Sequence, residues 1–293
     1  MRFLNPKTDF AFKRIFGSEE SRDILLSFLN AMLDLRHPYC IRDVQILDPY
    51  LAPKIKGMKD TYLDVRVKDE QGRSYIVEMQ VLNVAGFEKR VLYNACKTYA
   101  NQIQKGTDYF ELTPVVAITI TDFMMFDELP DVVNRFKLRA KANPEICQDD
   151  LELVFAELPK FTRTQQELTS VLDKWLYFLK TAPDLNAVPP VLAEEAAIVH
   201  AFNIANKAGL TPEELEDQER REIFIQDQRG ALMLAEQRGE KRGEKRGEER
   251  GYSAAIQEVA RQLLDILDDP TIAAKTGLSV SEVQQLRNDY AQS

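Results

Sequence analysis

Residues 61–81 read TYLDVRVKDEQGRSYIVEMQV and contain two short stretches rich in β-branched and aromatic residues, separated by a turn. Two such stretches around a glycine-containing turn predict a β-hairpin. A three-residue loop closed by Asp69 and Arg73 would connect the strands, with Gly72 in the left-handed conformation. This loop length determines which residues of the two strands face each other.

The predicted register places two carboxylates, those of Asp64 and Glu78, directly opposite each other. Opposed residues of an antiparallel pair have Cβ atoms roughly 4.5 to 5.5 Å apart, so the two charges would repel unless a cation lay between them. Gln80 is two residues from Glu78 and therefore points to the same face of the strand. One position on the sheet would thus contact all three side chains, and a divalent metal is the simplest explanation. The alternative is an exposed sheet face on which both acids pair with neighbouring cations.

Composition narrows the class of protein. The chain has 293 residues, 44% of them hydrophobic and 29% charged, which predicts a soluble globular protein of one large domain or two modest ones. The net charge of -9 provides no global attraction to nucleic acid, so a nucleic-acid site would be a local patch. Three widely separated cysteines favour a reducing compartment. Without a signal-peptide core or a run of 18 apolar residues, we expect a cytoplasmic protein that does not enter membranes.

Histidine scarcity argues against several hydrolase classes. The chain has two histidines, His37 and His200, and neither lies near a nucleophile elbow or a catalytic-cysteine motif. The sequence also lacks a Walker loop and a dinucleotide-binding glycine pattern. Chemistry based on carboxylates and a metal therefore remains the leading hypothesis.

Periodicity predicts the elements around the hairpin. Before the hairpin we expect a helical region at 8–34, interrupted at Gly17, and a strand at 41–47. After the hairpin we expect a helix at 86–104, a buried strand at 114–121, and two further strands at 132–139 and 151–158. The expected order is thus helix, three strands, helix and strand, followed by two further strands.

This order, with Asp on the second strand and Glu-x-Gln on the third, resembles the PD-(D/E)XK nuclease superfamily. More narrowly, the chain resembles the Rpn family, also described as PD-(D/E)XK nuclease family transposases or recombination-promoting nucleases. The resemblance is strong over about residues 1–165 and is carried by Asn5-Pro6-Lys7-Thr8-Asp9-Phe10-Ala11-Phe12-Lys13, Leu63-Asp64-Val65, Val77-Glu78-Met79-Gln80, and a helix with Tyr93, Tyr99 and Gln102.

The resemblance implies an α/β fold: a restriction-endonuclease-like core with a mixed central sheet flanked by helices, followed by a helical C-terminal region. It implies a Mg²⁺-dependent DNA endonuclease that hydrolyses phosphodiester bonds and is linked to recombination, mobile elements or defence. The metal ligands would be Asp64, Glu78 and the backbone carbonyl of Met79, with Asp9 as a further candidate, and Mn²⁺ or another divalent cation would also suit these oxygen ligands.

Two departures from the superfamily pattern concern the residues next to the acids. Leu63 replaces the proline before the aspartate, which is chemically mild, whereas Gln80 replaces a lysine. Asp64, Glu78 and Gln80 would form the catalytic set, in which Gln80 can orient a water molecule but brings no charge, so nearby cations must contribute more. Candidates for nucleic-acid contact are Lys59, Arg66, Tyr93, Lys97 and Gln102.

The same substitution motivates an alternative, a catalytically weak DNA-binding or assembly protein on a nuclease fold. A helical interaction protein whose β core is only a scaffold is a third hypothesis.

The C-terminal half is predicted to be helical. A composition shift suggests a nuclease-like domain at 1–165 and a helical region at 166–237, with a helix ending near 237. Residues 238–251 read RGEKRGEKRGEERG, with a glycine at every fourth position, and form either a charged tether or a self-association helix. Residues 252–293 have the spacing of a helical hairpin, with a helix-turn-helix as the more specific reading. We expect a homo-oligomer formed through this helical region.

Overall fold

A computed structural model of the chain describes residues 2–51, 61–103, 106 and 108–291. The chain divides into two compact units, Met1–Gln226 and Asp227–Ser293. The described strands lie in the first unit and are, in chain order, β1 (Val44–Ile46), β2 (Tyr50–Leu51), β3 (Thr61–Tyr62), β4 (Val65–Asp69), β5 (Ser74–Gln80), β6 (Val115–Thr121), β7 (Val133–Arg139) and β8 (Cys147–Glu157).

Six of these strands form one mixed sheet in the order β1-β4-β5-β6-β8-β7. The central pairs β5–β6 and β6–β8 are parallel, while β1–β4, β4–β5 and β7–β8 are antiparallel. The α-helices among the described residues are α1 (Asp9–Phe16), α2 (Arg22–Met32), α3 (Phe87–Ala100), α4 (Val171–Thr181), α5 (Pro190–Ala193), α6 (Ala196–Ile204), α7 (Pro212–Leu263), α8 (Asp269–Thr276) and α9 (Val280–Ala291). The mixed sheet, its flanking helices and the helical C-terminal region agree with the predicted architecture.

The hairpin turn forms as predicted. The Asp69 N–H donates a hydrogen bond to the Arg73 carbonyl at 3.0 Å, and Gly72 lies in the left-handed region with φ of 86°. Val65 pairs with Val77 in the resulting ladder. This is the last pair between the two strands, and Asp64 and Glu78 are the residues directly beyond it.

The first strand of the hairpin is shorter than predicted. Thr61 and Tyr62 pair with β2 in a separate two-stranded ribbon, and β4 begins only at Val65. The interruption falls at Asp64, whose carboxylate accepts a hydrogen bond from the Met79 N–H at 2.9 Å. This side chain therefore satisfies a backbone donor that would otherwise need another partner.

Helices cover the two faces of the sheet unequally. Because successive strand residues point to opposite faces, Val77 lies in the large core formed with helices α1, α2, α4 and α6, whereas Ile76 lies in a smaller core beneath α3. Trp175 of α4 packs against Phe16 and Phe28 at ring-centroid distances of 5.8 Å. Helices from the region predicted at 166–237 thus share the core of the first unit.

Helix α7 is longer than the sequence suggests. It spans 52 residues, so the repeat at 238–251 is helical rather than an extended tether, and the helix continues well beyond the stop expected near 237. In the second unit, α8 and α9 follow α7 as two consecutive helices that share a small core. Leu264, directly after the end of α7, packs there with Ile272 and Val283. None of the described helices is long and apolar enough to cross a membrane.

Candidate active site

A cavity of about 410 Å³ is lined by strand residues of the hairpin, by residues of α3 and by the first residue of α1. It contains the three residues predicted to form the catalytic set. The side chains most relevant to its chemistry are Asp9, Asp64, Glu78, Gln80, Arg90 and Tyr93.

Both predicted metal-binding carboxylates are held in place by hydrogen bonds. Asp64 uses Oδ2 to accept the Met79 N–H, and Glu78 uses Oε1 to accept from the Asn94 side chain at 2.9 Å. Each carboxylate keeps one oxygen that these two bonds do not use. Only 9% of the Glu78 surface is exposed, so its charge is largely removed from water.

Burial and proximity make these two carboxylates reluctant to ionise. Burial, together with the neighbouring charge of Asp64, raises the pKa of Glu78 to about 7 against the smaller opposing effects of Asn94 and Arg90. Burial likewise raises the pKa of Asp64, while the Met79 hydrogen bond and the Lys13 charge act in the opposite direction. A pair of buried acids with raised pKa values in a cavity is typical of a functional site.

Gln80 has a partner that the sequence analysis did not identify. Its Oε1 accepts a hydrogen bond from an Arg90 guanidinium nitrogen at 2.6 Å, and its Nε2 donates to the Leu82 carbonyl at 2.8 Å. Arg90 also lies over the Phe87 ring, 5.1 Å from its centroid. The Gln80 carboxamide therefore holds the positively charged Arg90 guanidinium next to position 80, where the superfamily pattern has a lysine.

The N-terminal motif that begins at Asn5 contains the start of α1. Thr8 caps this helix by accepting from the Ala11 N–H, and its hydroxyl also bonds the Gln218 side chain. The helix then presents Asp9 and Lys13 to the cavity region. Lys13 Nζ lies 2.6 Å from Asp9 Oδ1 and 3.6 Å from Asp64 Oδ1, so an ammonium group bridges these acids.

The residues predicted to contact nucleic acid fall in different places. Tyr93 lines the cavity, and Lys97 lies one helical turn further along α3, where its Nζ is 3.2 Å from Thr61 Oγ1. Arg66 is half-buried on β4 and does not line the cavity. Gln102 holds the backbone of Thr113 through hydrogen bonds to its N–H and carbonyl, both at 2.8 Å. Lys59 lies outside the described residues.

The carboxylate oxygens in the cavity suit a divalent cation whose remaining ligands are water molecules. Within the described part of the chain, no three Asp, Glu, His or Cys side chains converge closely enough to hold a metal by themselves. Mg²⁺ is commonly held by one or two carboxylates together with waters and other oxygens, so this does not disfavour it. Asp64 and Glu78 would provide the carboxylates, and a bound cation would favour their ionised forms against the burial that raises their pKa values.

Arg90, Asn94 and Lys13 are the site residues that sequence reasoning missed. Arg90 and Asn94 are four residues apart on α3, and that spacing puts both on the helix face that carries Tyr93 and Lys97. This shared face is the signal that would have found them. Lys13 is four residues after Asp9 and has the same kind of signal.

Comparison with known proteins agrees with this geometry. The family model described as PD-(D/E)XK nuclease family transposase matches residues 6–235, which include the whole sheet and the cavity. No curated protein and no solved structure gives a match. Since the family match covers most of the chain, the protein belongs to the PD-(D/E)XK nuclease family transposases.

Proposed function

We propose that this protein is a metal-dependent DNA endonuclease that hydrolyses phosphodiester bonds, with Mg²⁺ or Mn²⁺ as cofactor. The observation that carries the proposal is the convergence of Asp64 and Glu78 in one cavity, both with raised pKa values and both hydrogen-bonded from one side. Asp64, Glu78 and the Met79 carbonyl would hold the ion, with Asp9 as a further candidate ligand. When bound, the ion would stabilise the negative charge that develops on the phosphate.

Gln80 and Arg90 would act together in this reaction. The hydrogen bond between them places a guanidinium group at the cavity, where it can contact a phosphate oxygen. Arginine matches phosphate geometry well because its planar group offers several donors. The pair would thus provide the charge that a lysine supplies in the usual arrangement, while Gln80 by itself provides only position.

Tyr93 lines the cavity, and Lys97 lies one helical turn further along α3. The Lys97 ammonium lies 5.9 Å from the centroid of the Tyr93 ring. Tyr93 lines the cavity and would contact a nucleic-acid backbone there, whereas Lys97 is only 6% exposed and would act through its positive charge, which would partly offset the negative net charge of the chain.

The proposal is tested by nicking of supercoiled plasmid in Mg²⁺ or Mn²⁺. We expect wild-type protein to nick the plasmid, EDTA to stop the reaction, and the isosteric variants Asp64→Asn and Glu78→Gln to be inactive. Glu88→Gln removes an exposed carboxylate of α3 and is expected to retain activity, which makes it the matched control. Cleavage that survives both site substitutions would refute the proposal.

A DNA-binding protein with weak or no cleavage is the second candidate. The observation in its favour is that both ends of the Gln80 carboxamide already have hydrogen-bond partners, Arg90 and the Leu82 carbonyl. Binding of DNA without nicking in either metal, by protein that is folded, would favour this candidate.

We also propose that the C-terminal helical region mediates self-association. Helix α7 displays exposed apolar side chains, among them Leu232 and Met233. It also carries a glycine stripe, formed by the four glycines at 239, 243, 247 and 251, which lie near one side of the helix because they are four residues apart. Exposed apolar side chains of this kind are typical of helices that pack against a partner.

A further inference from the structure

Two tyrosine rings lie next to each other at the rim of the candidate active site. Tyr62 lines the cavity together with Asp64 and Glu78, yet 73% of its surface is exposed. The ring of Tyr50 lies beside it, with centroids 4.9 Å apart and an angle of 32° between the planes. Tyr62 therefore presents an exposed aromatic ring at the cavity, next to the ring of Tyr50.

The backbone holds this pair of rings in place. Tyr50 and Tyr62 face each other across the β2–β3 ribbon. The adjoining residues Leu51 and Leu63 are buried in the core beneath α3, at 2% and 1% exposure. The Leu63 N–H also donates to the Pro49 carbonyl at 3.1 Å. One side of the ribbon is therefore anchored in the core, while the other side displays the rings.

The charges around the rings indicate what they would contact. Arg90 lines the same cavity and is exposed, so it brings a cation to this region, and under the proposed function Asp64 and Glu78 would hold a divalent ion there. Cations beside exposed aromatic rings match the two parts of a nucleotide, since the phosphates bind the cations and the base stacks on a ring. A base within an intact duplex is stacked on its neighbours on both sides and cannot offer its face to a protein side chain. Stacking here requires an unpaired base.

We propose that Tyr62, supported by Tyr50, stacks on an unpaired nucleobase next to the phosphodiester that is hydrolysed. The substrate is then DNA that is single-stranded, or unpaired, at the position of cleavage. This inference rests on the proposed nuclease function and adds the strand state of its substrate.

The test is equilibrium binding, measured by fluorescence anisotropy in EDTA so that no cleavage occurs. The probes are a fluorescein-labelled single strand of about 12 nucleotides, within the usual range of single-strand sites, and the blunt duplex of the same sequence. We expect Tyr62→Ala to weaken single-strand binding by roughly 5- to 100-fold, the effect of losing one base–aromatic stack. Duplex binding should change by less than about 2-fold by the same reasoning, because no stack is lost.

Two further variants separate stacking from other causes. Tyr62→Phe keeps the ring and is expected to bind the single strand as wild type does. Tyr109→Ala removes a tyrosine that is 81% exposed but does not line the cavity, and it is expected to leave both affinities unchanged. A thermal melt of each variant shows whether it is folded.

Several results would overturn the proposal. These are unchanged single-strand binding in Tyr62→Ala, equal losses for single strand and duplex, or a loss in Tyr62→Phe as large as that in Tyr62→Ala. If the wild type fails to nick or cut DNA in Mg²⁺ and Mn²⁺, the proposed nuclease function is wrong. The binding series in EDTA decides on the stack independently of that result.

Discussion

Gln80 occupies the position at which a lysine would carry positive charge into the site, and its carboxamide oxygen accepts a hydrogen bond from Arg90 instead. The charge thus arrives from a neighbouring helix rather than from the strand. The sequence identified Gln80 as the unusual residue but not its partner, because the helix face that Arg90 shares with Tyr93 does not show which strand residue the arginine reaches. What identifies Arg90 is its distance to Gln80, and that depends on how α3 packs on the sheet.

Removal of this charge provides the first prediction. We expect Arg90→Ala to lower the initial rate of plasmid nicking by roughly 10- to 100-fold, since one donor that stabilises developing negative charge contributes at least that much. Arg90→Lys should retain part of the activity because it keeps the charge. The control is Lys89→Ala, which removes an exposed cation from the adjacent position of α3 without touching the cavity. Equal rates for wild type and Arg90→Ala would contradict this role.

The buried charge of Glu78 provides a second prediction, about stability. Burial raises the folded-state pKa of Glu78 to about 7, above its unfolded value. The contribution of Glu78 to the free energy of unfolding is therefore fully present below about pH 4.3 and is lost as the pH rises through about 7. The free energy of unfolding falls by on the order of 3 kcal/mol over this range. In EDTA at about pH 8, Glu78→Gln should melt several degrees above wild type, since 1 kcal/mol corresponds to roughly 2–4 °C for domains of 150–250 residues.

Near pH 4 that advantage should disappear, because wild-type Glu78 is then protonated and neutral as well. The measurement is thermal unfolding followed by circular dichroism at both pH values. A Glu78→Gln variant that is no more stable than wild type at the higher pH would show that this carboxylate is not an unfavourable buried charge.

Among the elements, the hairpin shows where sequence reasoning succeeds and where it stops. Its register and its turn at Gly72 were predicted because both follow from local alternation and from turn chemistry. The break at Asp64 was not predicted, because it depends on a bond between that side chain and the Met79 backbone. The two tyrosines of the β2–β3 ribbon come together only through that break.

Helix α7 was predicted too short for a related reason. Each glycine of the repeat disfavours helix by about 1 kcal/mol relative to alanine, so propensity alone argues for an end or a tether near 238. The structure continues the helix to Leu263, where Leu264 enters the core of the second unit. Packing at the far end of the helix is not visible in the local sequence of the repeat.

The glycine stripe provides a prediction at the scale of this helix. A methyl group built at Gly243 or Gly247 meets nothing within 4 Å in the single chain. Gly243→Ala with Gly247→Ala should therefore raise the helical content and the thermal stability of α7, by about 1 kcal/mol per site. Circular dichroism measures this, and a loss of helix would contradict it. If the stripe allows two helices to approach closely, the same variant should also weaken self-association.

For the molecule as a whole, residues 1–226 form a unit with its own core, which contains the sheet, the cavity and helices α1 to α6. The sequence indicated the nuclease-like part of this unit through its motifs. It did not show that α4 and α6 share the same core, because the contacts of Trp175 with Phe16 and Phe28 join residues that are far apart in the chain.

Self-association is tested at this scale by shortening the chain. We expect the full chain to form an oligomer. A chain that ends at residue 237 lacks the repeat and the helices after it, so we expect it to form a smaller oligomer or a monomer, and its mass in solution to fall by more than the mass of the removed residues. Gel filtration with light scattering measures both masses. If both chains form the same oligomer, the interface lies outside residues 238–293. If both chains are monomers, the proposed self-association is wrong.

The central claim is that Asp64 and Glu78 together hold a divalent cation. Titration of the protein with Mn²⁺ in a calorimeter tests it without relying on cleavage. We predict that wild-type protein binds the ion at a single class of site, and that both Asp64→Asn and Glu78→Gln weaken binding by at least roughly tenfold, because each variant removes a charged oxygen ligand. Wild-type affinity in either variant would contradict the claim.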